Sequence, residues 1–411
     1  MDKAVEDGVN VISMSIGGGL FDYYRDTVAI GAFTATAHGI LVSCSAGNDG
    51  PSNVSNSTSG FLCMSGTLIP AKVSGKIVIC DRGGNSRVEK GVEVKHAGGL
   101  GMILANTELY GEELIADSHI LATAAMGQSS AAAIKNYAFS DPKPVATIAS
   151  GRTRLGVEPS PVVAHSVLEV QIQSPQRRVT FNIISGTSMS CPHVSGLAAL
   201  LKAAHSDWSP GAIRSALMTT AYTKYKNGKT ILDVSTGQPS TPLDYGAGYV
   251  NPVAALDPGL VYDTTVEDYL GFLCALNYSS SQIKLATNRD FTCDPSKKYS
   301  LVISITHLSL FLSKLLQGKG WCRSNKHCNI HRTLTNVAPP ATYKVSISSE
   351  TPSVNILVEP QSLNFSEQYE KKSYTVTFTA TSMPSGTTSF AHLEWSSRKH
   401  VVGSPIAFSW T

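Results

Sequence analysis

Charge is scarce in this sequence. Asp, Glu, Lys and Arg make up 15% of its 411 residues, against roughly a quarter in an average soluble domain. The formal net charge is +3, too weak a field to gather nucleic acid or an anionic membrane. Neither is predicted as a partner. Long apolar runs are missing as well. The best candidate, Leu301 to Leu316, is interrupted by His307, Lys314 and four Ser or Thr residues, and is too short and polar to span a bilayer. The opening residues, Met1-Asp2-Lys3-Ala4-Val5-Glu6-Asp7, hold no apolar signal segment. They read as the last turns of a helix, so export information either lies upstream or is not used. Cys322, His327, Cys328 and His331 lie close together, but at no standard zinc-ligand spacing. No metal and no organic cofactor is predicted.

What is present is a mixed pattern. With 411 residues, 42% of them apolar, the chain can bury two or three cores. Val9 to Ile16 is a β-rich run that opens into Gly17-Gly18-Gly19, and backbone exposed in this way suits pairing with an extended peptide. Tyr23 to His38 reads as a helix and Ile40 to Ser45 as the next buried strand. Such alternation argues for a parallel α/β sheet. Ala46-Gly47-Asn48-Asp49-Gly50-Pro51 follows at the carboxyl end of that strand, where these sheets place their sites. Between Phe61 and Ala149, the strand-like runs Gly75 to Gly83 and Ala97 to Asn106 flank a helical stretch, Val88 to His96. No catalytic cluster is visible there. Arg332 to Trp410 alternates β-branched and polar residues between turns, as an antiparallel β-sandwich does.

One stretch carries more chemistry than the rest: Asn182-Ile183-Ile184-Ser185-Gly186-Thr187-Ser188-Met189-Ser190-Cys191-Pro192-His193-Val194. Pro192 opens an Ala- and Leu-rich run, Val194 to Ala204, that reads as a buried helix, since Pro is tolerated in a first helical turn. Ser188 is then expected at a strand-to-helix corner, beside unpaired N–H groups and the positive end of the helix dipole. A nucleophilic serine and half of an oxyanion hole belong in such a place. Gly-Thr-Ser alone would read as a helix cap. The thirteen-residue string is far more specific, and it closely resembles the serine motif of the subtilisin-like serine proteases in their plant form.

That resemblance implies an α/β fold: a partial subtilisin-like parallel sheet with flanking helices, a protease-associated insert and a C-terminal fibronectin-III-like sandwich. The catalytic domain would occupy residues 1–52 and 157–270, the insert 61–149 and the sandwich 332–411. The implied reaction is endopeptidase acyl transfer on Ser188, with the Asn48 side chain and the Ser188 N–H holding the oxyanion. Ser15-Ile16-Gly17 would form one wall of the cleft and Ala46-Gly47 would help to bind the substrate, a peptide or protein. Disulfides Cys63–Cys80 and Cys274–Cys293 are implied, and with them an oxidising, extracellular compartment. Each would add about 3 kcal/mol by restricting the unfolded chain. Cys44 and Cys191 are expected as buried free thiols. Sequons at Asn53, Asn56, Asn277 and Asn364 fit a glycosylated surface. For the insert, a lid or docking role is the default, and homo-oligomer formation or partner docking through it stays open.

The sequence also departs from the family. After Pro51 the expected sheet gives way to a sequon-rich linker, Ala164 to Arg178 replaces a core segment, and residues 301–331 look foreign. A serine nucleophile needs a histidine to take its proton and an aspartate to orient that histidine. In this family both precede the Ala-Gly-Asn motif. The 47 residues ahead of Asn48 hold Asp2, Asp7, Asp22, Asp26 and His38, none within an Asp-Thr-Gly or Gly-His-Gly-Thr motif. His38 reads as a helix C-cap, and His193, five residues past Ser188, is expected to point away from it. The chain is therefore expected to be truncated and almost inactive alone. The competing readings are a non-catalytic peptide- or protein-binding fragment and a mis-assembled gene product.

Overall fold

In the computed structural model, the described residues are 1–16, 21–46, 60–149, 151, 155–164, 186–297, 299, 308–312, 327–349, 352–380, 383–384 and 386–410. The chain starts with helix α1 (Asp2–Glu6), strand β1 (Val11–Met14), helix α2 (Thr27–Ala37) and strand β2 (Leu41–Cys44). β1 and β2 pair in parallel, with Val11 opposite Leu41 and Met14 opposite Cys44. Asp26 caps α2, its carboxylate accepting from the N–H groups of Val28 and Ala29, a placement that also favours its charge at the positive helix end.

Residues 60–149 form a unit of their own. Helix α3 (Pro70–Val73) is followed by β3 (Ile77–Asp81), α4 (Arg87–His96), β4 (Gly101–Ala105), β5 (Ala122–Met126) and α5 (Gln128–Ser140). The three strands make a parallel sheet in the order β3-β4-β5. Ser86 and Glu89 close a capping box at the start of α4, which is why the helix begins at Arg87. The Cys63–Cys80 disulfide ties the entry of the unit to β3. Lys90 is fully buried, its ammonium donating to the carbonyls of Leu62 and Gly83, both at 2.7 Å, and to Asn85 Oδ1. A charge so far from water needs this full set of acceptors. The unit is seated on the rest of the chain where Glu112 N–H donates to the Ser235 carbonyl at 2.9 Å. A Cβ at Gly111 would come within 2.3 Å of that carbonyl oxygen, and Gly111 has φ +49°, so only glycine fits.

Helices α6 (Thr187–Ala204), α7 (Pro210–Thr219), α8 (Pro242–Tyr245) and α9 (Pro252–Leu256) come next, then β6 (Leu260–Val261), α10 (Val266–Ala275) and α11 (Ser280–Thr287). Leu41 of β2, Ala198 and Leu201 of α6 and Ile213 and Leu217 of α7 share one buried cluster. The expected helix after Pro192 starts earlier. α6 begins at Thr187 and Pro192 lies inside it, because Gly186 rather than the proline occupies the N-cap. The Cys274–Cys293 disulfide fastens α10 to the segment after α11.

The C-terminal part is a sandwich of β7 (Leu308–Leu312), β8 (His327–Asn336), β9 (Ala341–Ser349), β10 (Val354–Glu359), β11 (Ser362–Phe365), β12 (Lys371–Ala380), β13 (Thr388–Ser396) and β14 (Val401–Trp410). One sheet runs β10-β12-β8-β6 and the other β11-β9-β13-β14-β7. All pairs are antiparallel except β14 with β7. β8 already starts at His327, ahead of Arg332, and β6 supplies a further strand from before the sandwich sequence. Trp395, Tyr343, Phe365 and Phe408 are fully buried between the sheets. The sandwich is fastened to the rest by His400, whose Nε2 meets Asp257 Oδ1 at 2.9 Å, and by Tyr369, whose hydroxyl donates to Asp207 at 2.6 Å.

Candidate active site

Ser188 is the second residue of α6, after Gly186 at the N-cap and Thr187. The N-cap position belongs to Gly186 and not to Ser188, so the serine is not the residue that caps the helix. The residue is half-buried. First-turn amides have no intrahelical acceptor and carry the positive end of the helix dipole. The Ser188 N–H therefore belongs to an anion-attracting end.

What holds that turn in place is a set of contacts to the carboxyl ends of β1 and β2. Ser15, just past β1, donates its hydroxyl to the Ser188 carbonyl at 2.7 Å. The Cys191 thiol donates to the Ser43 carbonyl of β2 at 3.1 Å. Ser43 Oγ donates to the Cys191 carbonyl at 3.3 Å, and Ser13 Oγ lies 3.5 Å from Cys191 Sγ. Ser45 Oγ donates to the Ile16 carbonyl at 3.1 Å, tying the two strand ends together. Burial pushes the Cys191 thiol pKa up, but hydrogen bonds with Ser13, Ser43, Ser15 and the Met14 backbone outweigh it, and the net shift is downward. Such bonds favour the thiolate.

The predicted site residues fare unequally. Ser15 and Ile16 follow β1 and Ala46 follows β2, the two strands that α6 packs against. Ser15 faces the Ser188 backbone, and Ile16 is 58% exposed. Asn48, Gly17 and Gly47 lie outside the described residues. Both disulfides are formed, Cys63–Cys80 and Cys274–Cys293, each with Cα atoms 5.6 Å apart. Cys191 is a buried free thiol as expected, whereas Cys44 is free but exposed. It sits at the last position of a two-stranded sheet, where little covers it. Asn277 and Asn364 are exposed, and Asn53 and Asn56 lie outside the described residues.

The histidines and aspartates near the site are committed elsewhere. His38 is the C-cap of α2, its Nδ1 2.8 Å from the Thr34 carbonyl. His193 Nδ1 lies 2.6 Å from the Met189 carbonyl on its own helix. Asp26 caps α2 and Asp7 pairs with Lys3 at 2.8 Å. Among the described residues no imidazole is hydrogen-bonded to the Ser188 hydroxyl, and no group of three or more His, Cys, Asp or Glu side chains could hold a metal ion. None of their helices is long and apolar enough to cross a membrane.

Sequence reasoning missed Ser13, Ser43 and the anchoring role of Cys191. A signal for the first two was present: each is a hydroxyl set in an otherwise apolar β-run, Val11–Met14 or Leu41–Cys44.

Comparison with known proteins places these features. A fibronectin type-III domain model matches residues 319–408. Subtilisin-like protease SBT1.7 of Arabidopsis thaliana is 49% identical over 500 residues, covering 100% of this chain and 65% of the relative. SBT1.3 and SBT1.5 of the same plant are each 38% identical, over 503 and 507 residues, covering 100% and 98% of this chain and 64% and 65% of themselves. The chain thus spans just under two thirds of the length of these curated relatives. The subtilase family model matches residues 1–248, well over half of the sequence, and the chain belongs to the subtilase family.

Proposed function

We propose that this chain carries the nucleophile side of a peptide-hydrolysing cleft and that its chemistry is serine endopeptidase acyl transfer. The observation that carries this reading is the seating of the first turn of α6, with Ser188, across the carboxyl ends of two parallel strands. Ser188 Oγ attacks the peptide carbonyl, the Oγ proton passes to a base, and the carbonyl oxygen becomes an oxyanion. The Ser188 N–H and the Asn48 carboxamide hold that oxyanion. The C–N bond then breaks, the amine leaves with a proton, and water releases the acyl group from Ser188. Ser15, Ile16 and Gly17 with Ala46 and Gly47 line the path of the extended substrate. In a bacterial subtilisin, loss of the corresponding oxyanion-hole side chain lowers kcat about 10²–10³-fold.

The base is the missing part. These 411 residues contain neither an Asp-Thr-Gly nor a Gly-His-Gly-Thr motif, and the nearby histidines are bound to their own helices. Loss of the serine or histidine costs a bacterial subtilisin about 2 × 10⁶ in kcat. The polypeptide by itself is therefore a very slow protease that retains a cleft able to hold peptide. We read residues 61–149 as a protease-associated insert, a lid or docking unit. Two disulfides and exposed sequons at Asn277 and Asn364 support an extracellular, glycosylated protein.

A fluorophosphonate probe tests the reading. Slow stoichiometric labelling that disappears in Ser188→Ala supports a nucleophile in a working pocket. A chain that never labels, yet binds extended peptides, is a peptide-binding protein instead.

A further inference from the structure

Pro192 is the sixth residue of α6. In an α-helix the carbonyl of residue i accepts from the N–H of residue i+4, so the donor owed to the Ser188 carbonyl is residue 192. Proline has no N–H, and its ring crowds the carbonyl four residues back. The backbone of Ser188 is thus released from its own helix at one point. That carbonyl is satisfied from elsewhere, by the Ser15 hydroxyl at 2.7 Å. One turn further along, α6 is anchored to the other strand, through Cys191 and Ser43. The gap left by Pro192 and the hydroxyl of Ser15 are two halves of one arrangement.

We propose that Ser15 is a positioning residue for Ser188: the proline hands the Ser188 carbonyl from the helix to the cleft wall, and Ser15 holds it there. The proposal rests on the reading of Ser188 as nucleophile. While its backbone lines the substrate's path, the Ser15 hydroxyl then acts on the enzyme itself, because its proton is committed to the Ser188 carbonyl. It also couples two parts of the cleft. A peptide lying along Ile16 pulls on the backbone next to Ser15, and that pull reaches Ser188 through the Ser15 hydrogen bond.

A double-mutant cycle on the full chain tests this. Pro192→Ala restores an N–H that the Ser188 carbonyl can accept within the helix, which makes Ser15 dispensable. Labelling of Ser188 by a fluorophosphonate, normalised to folded protein, is expected to slow about five- to tenfold in Ser15→Ala, the factor one net hydrogen bond carries. Ser15→Thr, which keeps the hydroxyl, should label at close to the original rate. Pro192→Ala and the double variant should label alike. Thermal melting follows the same cycle: Ser15→Ala lowers Tm by about 2–4 °C with proline at 192 and by much less with alanine. An equal loss in both backgrounds, or a Ser15→Thr variant as slow as Ser15→Ala, overturns the proposal. A chain that does not label at all counts against the nucleophile reading, and the melting cycle then decides the tie by itself.

Discussion

The C-terminal sandwich and the region around Ser188 are built on opposite plans. The sandwich has strands of up to ten residues in two sheets, with Trp395, Tyr343, Phe365 and Phe408 fully buried between them. The serine region rests on two parallel strands of four residues each. Some of its apolar side chains face outward: Ile16 is 58% exposed and Leu200 65%. The sandwich is held by its large apolar core, whereas the smaller cluster under α6 and α7 is supplemented by hydrogen bonds from Ser13, Ser15, Ser43 and Cys191. Elements that carry chemistry tend to come from the less stable end of a structure, and here the contrast is steep.

Substitutions in the two cores sharpen that contrast. Trp395→Ala should destabilise the sandwich by about 3–5 kcal/mol, read as a lower urea midpoint. Leu201→Ala removes a buried side chain of α6 from a cluster smaller than the sandwich core. Its cost should fall at the low end of the range, about 2–3 kcal/mol. Equal costs would show that the serine region is packed as tightly as the sandwich. Replacing Cys63 and Cys80 by serine should cost about 3 kcal/mol, confined to faster hydrogen exchange within residues 60–149. Exchange in the unaltered chain should also rank the regions, with amides of β1 and β2 exchanging well before those of β12 and β13.

The smallest effect expected is electrostatic. Glu370 accepts from the Lys372 ammonium at 2.7 Å and from the Ser366 N–H and hydroxyl at 2.6 and 3.0 Å. The bond from Lys372 is the main cause that lowers its pKa to about 2. A carboxylate with a depressed pKa stabilises the fold above its unfolded value, here 4.5, and that contribution is lost as the pH falls toward 2. Melting between those pH values should be less pH-dependent in Glu370→Gln than in the unaltered chain, by a small margin because the site faces solvent.

Much of this was legible in the sequence, for identifiable reasons. Alternation and glycine breaks located β1, α2, β2, β3, α4 and β4, whereas β5, a run of small residues, was not read. The resemblance carried by the Ser188 string implied both disulfides, which are formed, and the same string singled out the turn that seats Ser188 against the two strands. The start of α6 was not legible: a proline reads as a helix opener, while Gly186 and the strand ends decide where the helix begins. Nor was β6 visible, since two residues show no periodicity. Asn48, which the oxyanion reading needs, lies outside the described residues.

The short strand β6 serves two cores at once. Leu260 points into the sandwich core, and its neighbour Val261 belongs to the cluster that holds α6 and α7. Successive residues of a strand face opposite ways, so two adjacent side chains bolt the serine-bearing part and the sandwich to one another. Cutting the chain anywhere between Val261 and the start of β8 strips the sandwich of an edge strand, whatever the sequence suggests about a boundary. The two parts are neighbours along the chain, but they are not separable pieces.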